Sequence, residues 1–390
     1  MQDAAQAPAD GAQAQGDERD PARRRAVSLP YGQCQPEGEK HRELESDGVE
    51  QHPLALSVIP FVGLSRPCEW LSFALGQVRI RSIVSRTLVI ANLRSQGGAT
   101  GRRWSEIEAR LREALGTLEC EITEGRRDAV RIAREAVRSG VERIIVAGGD
   151  GTLNEVVSGI LSGGLGGYAE LGLLPLGTGN DFVRSLGIPV DLDGAIDVLR
   201  NGKPRLVDAG RVVCRGPDGC EVQAWFANEV SFGLSGLVVD LVNRASKPLA
   251  GRLSFLVGTL RGVARYRCQP VTLRLDGETV FAGPLVMASS ANGQWFGGGM
   301  HLAPNAVIDD GKLDLIVIRE LTRLQLVGKL RDLYSGAHLD DPAVGAYRGR
   351  ILEAEAEPQT VWLEVDGEPV GTLPARIEVL PGALTVIGAA

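Results

Sequence analysis

Nothing in this sequence of 390 residues supplies a zinc site, a nucleic-acid partner or a membrane-spanning helix. Its six cysteines, Cys34, Cys68, Cys120, Cys214, Cys220 and Cys268, include no C-x-x-C pair, and the four histidines add no matching pair. Free, reduced thiols in a cytoplasmic setting are expected, Cys214 and Cys220 included. Base is not in excess: 42 Lys+Arg against 49 Asp+Glu leave a net charge of −7, which argues against nucleic acid as a partner. No uninterrupted apolar run approaches the roughly 20 residues a spanning helix needs. Residues 54–62 and 70–75 are apolar, but Pro53, Pro60 and Pro67 break the stretch. Residues 1–53 lack any apolar period and read as a disordered tail. They also lack the basic start and apolar core of a secretory signal. Residues 54–85 form an N-terminal extension, read as a peripheral membrane segment, as an element packed on the first domain, or as a poorly ordered extension.

The length suits two domains. The most informative stretch is residues 146–159, V-A-G-G-D-G-T-L-N-E-V-V-S-G. The apolar run 144–147 reads as a buried parallel strand. After the glycine-rich turn, Leu153, Val156, Val157, Ile160 and Leu161 recur at helical spacing. Glycines let a backbone turn sharply and approach a ligand closely, and N–H groups at a helix start favour phosphate. Asp150 would repel phosphate unless a cation lies between them. The plain structural alternative is a tight strand-to-helix turn capped by Thr152.

Strand and helix signals alternate from residue 86 to 209. Strands are expected at 87–91, 120–123, 144–147 and 171–175. Helices are marked by Trp104, Ile107, Leu111 and Leu115, and by Val130, Ala133 and Val137. This is the pattern of a parallel α/β sheet, whose ligands sit at the carboxyl ends of the strands. Polar turns at 92–98, 148–152 and 177–182 all fall at that end. From residue 210 to 390 the helical period gives way to short β runs with turn signals, a largely antiparallel second domain of sandwich or barrel type. One basic, apolar stretch interrupts it at 241–267, with Arg244, Lys247, Arg252, Arg261, Arg265 and Arg267 and no acidic residue. It suits either a surface facing anionic headgroups or a solvated helix face.

Four strings occur in order: G-G-D-G-T-L-N-E at 148–155, L-P-L-G-T-G-N-D at 174–181, L-A-P-N-A-V-I-D-D-G-K-L at 302–313 and V-D-G-E-P at 365–369. With them the chain resembles the bacterial diacylglycerol kinase catalytic domain family, soluble lipid kinases related to sphingosine and ceramide kinases. The family's N-P-x-S-G nucleotide turn is matched in part at 92–96, where Leu93 replaces the Pro and Gln96 the Gly.

The resemblance implies an α/β nucleotide-binding domain of the NAD kinase and diacylglycerol kinase type, followed by a mostly antiparallel β-sandwich domain. It implies ATP as co-substrate and Mg²⁺ as cofactor. ATP binding is expected at Asn92, Ser95, Thr123, Gly148, Gly149, Asp150, Gly151, Thr152, Asn154, Glu155, Gly177, Thr178, Gly179 and Asn180. Asp150 is expected to act with Mg²⁺ at the phosphates, and Glu368 as the general base. A second, structural Mg²⁺ is expected at Asp310 through its side chain and at Val307 and Lys312 through their carbonyls. A second D-G-E string, at 276–278, is read as a plain hairpin. The expected activity is phosphorylation of a membrane-lipid hydroxyl, diacylglycerol or similar, within phospholipid biosynthesis and at a peripheral membrane contact. NAD kinase and a non-catalytic lipid-binding protein on the same scaffold are the alternatives. A homodimer is among the oligomeric states left open.

Overall fold

The computed structural model describes residues 86–243, 252–356 and 360–389. The tail, the N-terminal extension up to residue 85, Arg244 and Lys247 lie outside the described residues, as does the side chain of Arg252. The described residues all belong to one compact unit.

The first lobe alternates strand and helix: β1 (Thr87–Ala91), α1 (Ser95–Leu115), β2 (Glu119–Ile122), α2 (Asp128–Arg138), β3 (Arg143–Gly148), α3 (Asp150–Ser162), β4 (Glu170–Pro175), α4 (Asp181–Ser185) and α5 (Leu192–Asn201). The strands pair in parallel in the order β2-β1-β3-β4. Past their first residues β1, β3 and β4 are buried throughout, as continuous apolar runs covered on both faces require. The chain leaves β1 to one side for β2 and returns on the other for β3. The crevice outside the ends of β1 and β3 is thus a topological switch point, where ligands of such sheets bind.

α1 buries Trp104, Ile107 and Leu111, as its spacing predicts. α2 buries Ala129, Ile132, Ala133, Ala136 and Val137. This face is turned from the one expected, and Val130 is only half-buried. The small residues matter because α3 lies close. A Cβ on Gly159 would come within 2.4 Å of the Val130 carbonyl oxygen.

The second lobe consists of β5 (Lys203–Arg215), β6 (Glu221–Phe226), β7 (Glu229–Gly233), α6 (Leu234–Asn243), α7 (Arg252–Arg265), β8 (Gln269–Leu275), β9 (Glu278–Ala291), β10 (Leu313–Arg319), α8 (Arg323–Ser335), β11 (Val344–Gly349), β12 (Ile351–Glu355), β13 (Trp362–Val365) and β14 (Glu368–Gly388). Every strand pair within it is antiparallel. The architecture is therefore an α/β lobe followed by an antiparallel β lobe, as expected. The apolar-alternating runs 376–380 and 384–387 belong to one strand. Residues 381 and 382, Pro and Gly, read as a turn but form an irregularity in the β14–β5 ladder between Leu380 and Leu384. β14 then runs on to pair in parallel with β4 through Thr385 and Val386. Leu384, Val386 and Ile387 join the core of the first lobe, so the last strand ties the lobes together. β7, β11 and β12 carry no clear sequence signal. Among the described cysteines Cys120, Cys214 and Cys268 are free. Cys220 is disulfide-bonded, against expectation.

The α2–α3 approach gives a direct test. Replacing Gly159 by Ala drives a methyl group into backbone, which cannot swing away, so Gly159→Ala is expected to destabilise by about 1–3 kcal/mol. A lowered urea midpoint at unchanged slope would show this. A stability within about 0.5 kcal/mol of the parent would contradict the packing.

Candidate functional site

The loops after β1, β3 and β4 meet backbone to backbone. A Cβ on Gly149 would lie 2.8 Å from the Gly177 Cα, and one on Gly177 2.4 Å from the Gly149 Cα. No larger residue fits at either point. Gly148 is closed to a side chain by Thr152, whose Oγ1 would lie 2.5 Å from an added Cβ. α3 begins at Asp150 with Gly149 as its N-cap and no side chain capping it. Gly151, in its first turn, is exposed, and N–H groups at such a helix start favour phosphate.

The loop after β1 solves the departure at Gln96 and Leu93. Gln96, Gly97 and Gly98 all have positive φ, at 50°, 64° and 84°. Placing Gln rather than Gly there costs about 1 kcal/mol of backbone strain. The Gln96 side chain offsets this by donating to the Gly177 carbonyl at 3.0 Å. Asn92 donates to Thr152 Oγ1 at 3.1 Å, and Ser95 donates to the Asn92 carbonyl at 2.8 Å. Asn180, at φ 54°, closes its own turn: Oδ1 accepts from Gly177 N and Nδ2 donates to Gly177 O, both at 3.1 Å. Thr123 ends β2, its N–H on the Ala91 carbonyl at 2.9 Å. Thr178 is exposed and Gly179 half-buried. The residues named from sequence thus gather at one edge, but several of their side chains shape the turns.

Asp150 sits beneath these turns. Its Oδ1 accepts from Asp181 N at 2.9 Å. Burial raises its pKa, and backbone N–H donors at Phe182, Asp181 and Asn180 oppose that. Asp181 is buried, at 5 % exposure. Its Oδ2 accepts from Gly298 N at 2.7 Å, and its Oδ1 has no partner. Burial and then the neighbouring Asp150 push Asp181 up to about 6. Two adjacent carboxylates, one with an orphaned oxygen, fit a divalent cation whose remaining ligands come from phosphate and water.

The Asp310 turn is different. Its Oδ1 accepts from Lys312 N at 3.1 Å, and its Oδ2 pairs with Arg348. The same guanidinium lies 3.3 Å from Asp314 Oδ2. A cation already serves Asp310, with both oxygens engaged. The second Mg²⁺ expected at Val307, Asp310 and Lys312 would have to share Asp310 with Arg348 or displace it.

The second lobe closes the crevice with the turn between β13 and β14. Asp366 and Gly367 both have positive φ, 47° and 84°, the geometry of a type I′ hairpin. Asp276 and Gly277 repeat it at 50° and 89°, so the two D-G-E strings share a backbone and differ in surroundings. Glu278 is exposed, and Asp276 accepts from Arg350 N and Ile351 N. Asp366 instead accepts from Ala227, Asn228 and Glu229 N–H at 3.1, 3.1 and 2.8 Å. It also accepts from Asn154 Nδ2, across the crevice, at 2.9 Å. Asn154 donates further to the Trp225 carbonyl at 3.0 Å, so its side chain joins the lobes. Burial pushes Asp366 up to about 6 against these donors. Glu368 follows in the turn and is ion-paired with Arg126 of the first lobe. Burial raises its pKa and Arg126 opposes this.

Behind the turn lie two groups that sequence reading missed, Glu229 and Glu364, buried at 3 % and 2 % exposure. Glu364, Ser231 and Ser289 are in register across β13, β7 and β9. Ser231 donates to Glu364, and Ser289 to Glu229 at 2.7 Å. Burial raises both carboxyl groups, Glu229 the further because of its neighbour. Glu364 also accepts from Gly367 N at 2.7 Å. A Glu amid the apolar β13 run was the available signal.

A cavity of about 290 Å³ opens at this edge. Asp150, Asp181, Glu229, Glu364 and Asp366 line one side, and Val239, Val242 and Phe296 another. A smaller apolar cavity of about 80 Å³ beneath α6, α7 and α8 shares Ser235 and Phe296 with it.

Residues 86–212 match the diacylglycerol kinase catalytic domain, and residues 228–388 match the YegS C-terminal NAD kinase beta sandwich-like domain. The chain is 32% identical over 314 residues to a Mycobacterium tuberculosis protein named diacylglycerol kinase, covering 80% of this chain and 97% of that one. It is 35% identical over 283 residues to a Chromohalobacter salexigens protein named "Probable lipid kinase YegS-like", covering 72% and 86%. A solved Bacillus anthracis structure, described as a candidate diacylglycerol kinase, superposes with a TM-score of 0.63 at 26% identity, over 79% of this chain and 98% of that one. Glycine turns packed too tightly for any other residue, a paired carboxylate beneath them and these relatives place the chain in the diacylglycerol kinase family, as a lipid kinase.

Proposed function

We propose that the protein transfers the γ-phosphate of ATP to a hydroxyl group of a membrane lipid, diacylglycerol or one like it, in the crevice between its lobes. The observation that carries this reading is the closure of the β13–β14 turn over the carboxyl ends of β1, β3 and β4, held by Asn154 and Asp366. On this reading Glu368, two residues after Asp366, would stand opposite the phosphates.

ATP phosphates would rest on the backbone N–H groups at the start of α3 and on the Gly177–Gly179 turn, with Asn92, Ser95, Thr123, Thr152 and Glu155 around them. Asp150 and Asp181 would hold Mg²⁺, whose chemistry is to neutralise phosphate charge. Glu368 would accept the proton of the attacking lipid hydroxyl, which needs the carboxylate ionised and within hydrogen-bond reach. The apolar wall at Val239, Val242 and Phe296 would take the start of an acyl chain. Among the described residues no helix is long and apolar enough to cross a membrane. A peripheral contact is supported by α7, which exposes Leu260, Arg261 and Arg265, a face suited to anionic headgroups.

The test is transfer of labelled phosphate from ATP to a panel of lipids in mixed micelles with Mg²⁺, with NAD as a further acceptor. Wild type is expected to label a hydroxyl lipid, and Glu368→Gln to lose at least about 100-fold in rate while still binding ATP. Labelling of NAD alone, or full activity in Glu368→Gln, would overturn the reading.

A further inference from the structure

Arg126 stands at the point where the first lobe meets the proposed base. The loop that carries it, between β2 and α2, is pinned on both sides. Asp128 Oδ2 accepts from Glu124 N at 2.9 Å. Glu155, from α3, accepts from Ala129 N at 3.2 Å and from the Arg127 N–H. Arg127 takes a left-handed conformation at φ 67°, and the kink leaves the Arg126 side chain 65% exposed. From there the guanidinium crosses to the other lobe and donates to Glu368, whose own side chain is 31% exposed.

The charges around Glu368 come from three elements. Arg126 faces it from the β2–α2 loop, Glu155 from α3 and Glu364 from β13. The two carboxylates disfavour an ionised Glu368, as burial does. Arg126 is the cation acting against them. A general base in such surroundings is harder to ionise.

We propose that Arg126 is a positioning residue for Glu368: it aims the carboxylate into the crevice and keeps it ionised, with Glu155 fixing the loop from which Arg126 reaches. The inference rests on the reading of Glu368 as base. It gives Glu155 a different part from direct contact with ATP, as the anchor of the loop that supplies the cation.

The sign of the effect follows from the charges. An opposite charge within a few ångströms favours the ionised form, so Arg126 lowers the Glu368 pKa and its loss raises it. The base must be ionised to act, so the acid limb of kcat/KM for the lipid then moves to higher pH. Measured at saturating ATP, that limb reports the ATP-bound enzyme before the lipid binds. The pair is partly exposed, so salt screens it.

The experiment is the pH profile of lipid phosphorylation at saturating ATP for wild type, Arg126→Gln, Arg126→Lys and Glu368→Gln, at low and high salt. Arg126→Gln is expected to shift the acid limb up by about half a unit or more, and to lower kcat/KM several-fold at neutral pH. Arg126→Lys should recover part of the shift, and KM for ATP should stay within about twofold. High salt should move the wild-type limb toward that of Arg126→Gln. An unshifted limb in Arg126→Gln would overturn the proposal, and so would a loss expressed as a raised KM for ATP, which would make Arg126 a nucleotide ligand. A Glu368→Gln enzyme of full activity would remove the base reading and this proposal together. An inactive Glu368→Gln beside an unshifted Arg126→Gln would remove only the proposal. Because Arg126 is exposed, its variants should keep the parent Tm, which separates these outcomes from misfolding.

Discussion

The carboxylate of Asp366 organises the crevice. Each of its oxygens accepts two hydrogen bonds, from Asn228 and Glu229 N–H on one and from Ala227 N–H and Asn154 Nδ2 on the other. Three donors belong to the second lobe and the fourth to α3 of the first. A charge-assisted hydrogen bond contributes about 1.5–3 kcal/mol, roughly double a neutral one. Spread over a left-handed turn, such bonds fix where Gly367 and Glu368 stand. The same contact fixes Asn154 one turn into α3. On the proposed reading, one group would set the positions of both the base and the phosphates.

Around it the protein keeps a concentration of acid that would be costly elsewhere. Burying an unpaired carboxylate is expensive, and such groups take up protons or partners instead. Each solution occurs here. Burial raises the pKa of the neighbouring Glu229 and Glu364, and both are served by serine hydroxyls. Asp366 is surrounded by donors. Asp310 and Asp314 have Arg348. Asp150 and Asp181 are left with an orphaned oxygen, which is where a substrate-borne cation would be most useful. Asp314 Oδ2 likewise lacks a hydrogen bond, but a guanidinium lies 3.3 Å from it.

Much of the first lobe was legible in the sequence because its signals are local. Apolar runs bounded by glycine turns gave β1, β3 and β4, and helical spacing gave α1 and α3. The turn of the α2 face was not legible, since Ala129 and Ala136 are small and their burial depends on α3 coming close at Gly159. In the second lobe strand signals fragment where Pro381 and Gly382 interrupt a ladder that continues. The site residues named from motifs do converge, yet the motif string does not say what each side chain does. Asn180 and Gln96 brace turns, Asn154 joins lobes, and Glu155 holds a loop. Asp181, which ends the G-T-G-N-D string, joins Asp150 through the hydrogen bond from its own N–H. Glu229 and Glu364 come together only through strand pairing, which local spacing does not encode.

If the Asp366 contact places the base, then Asp366→Asn, which keeps the size but replaces acceptors with a donor, is the most direct probe. The measurement is kcat for lipid phosphorylation beside the Kd for ATP with Mg²⁺. The account predicts a kcat lowered by at least about tenfold with ATP affinity nearly unchanged, since the phosphate edge belongs to the first lobe. Full kcat in a folded Asp366→Asn enzyme would contradict it.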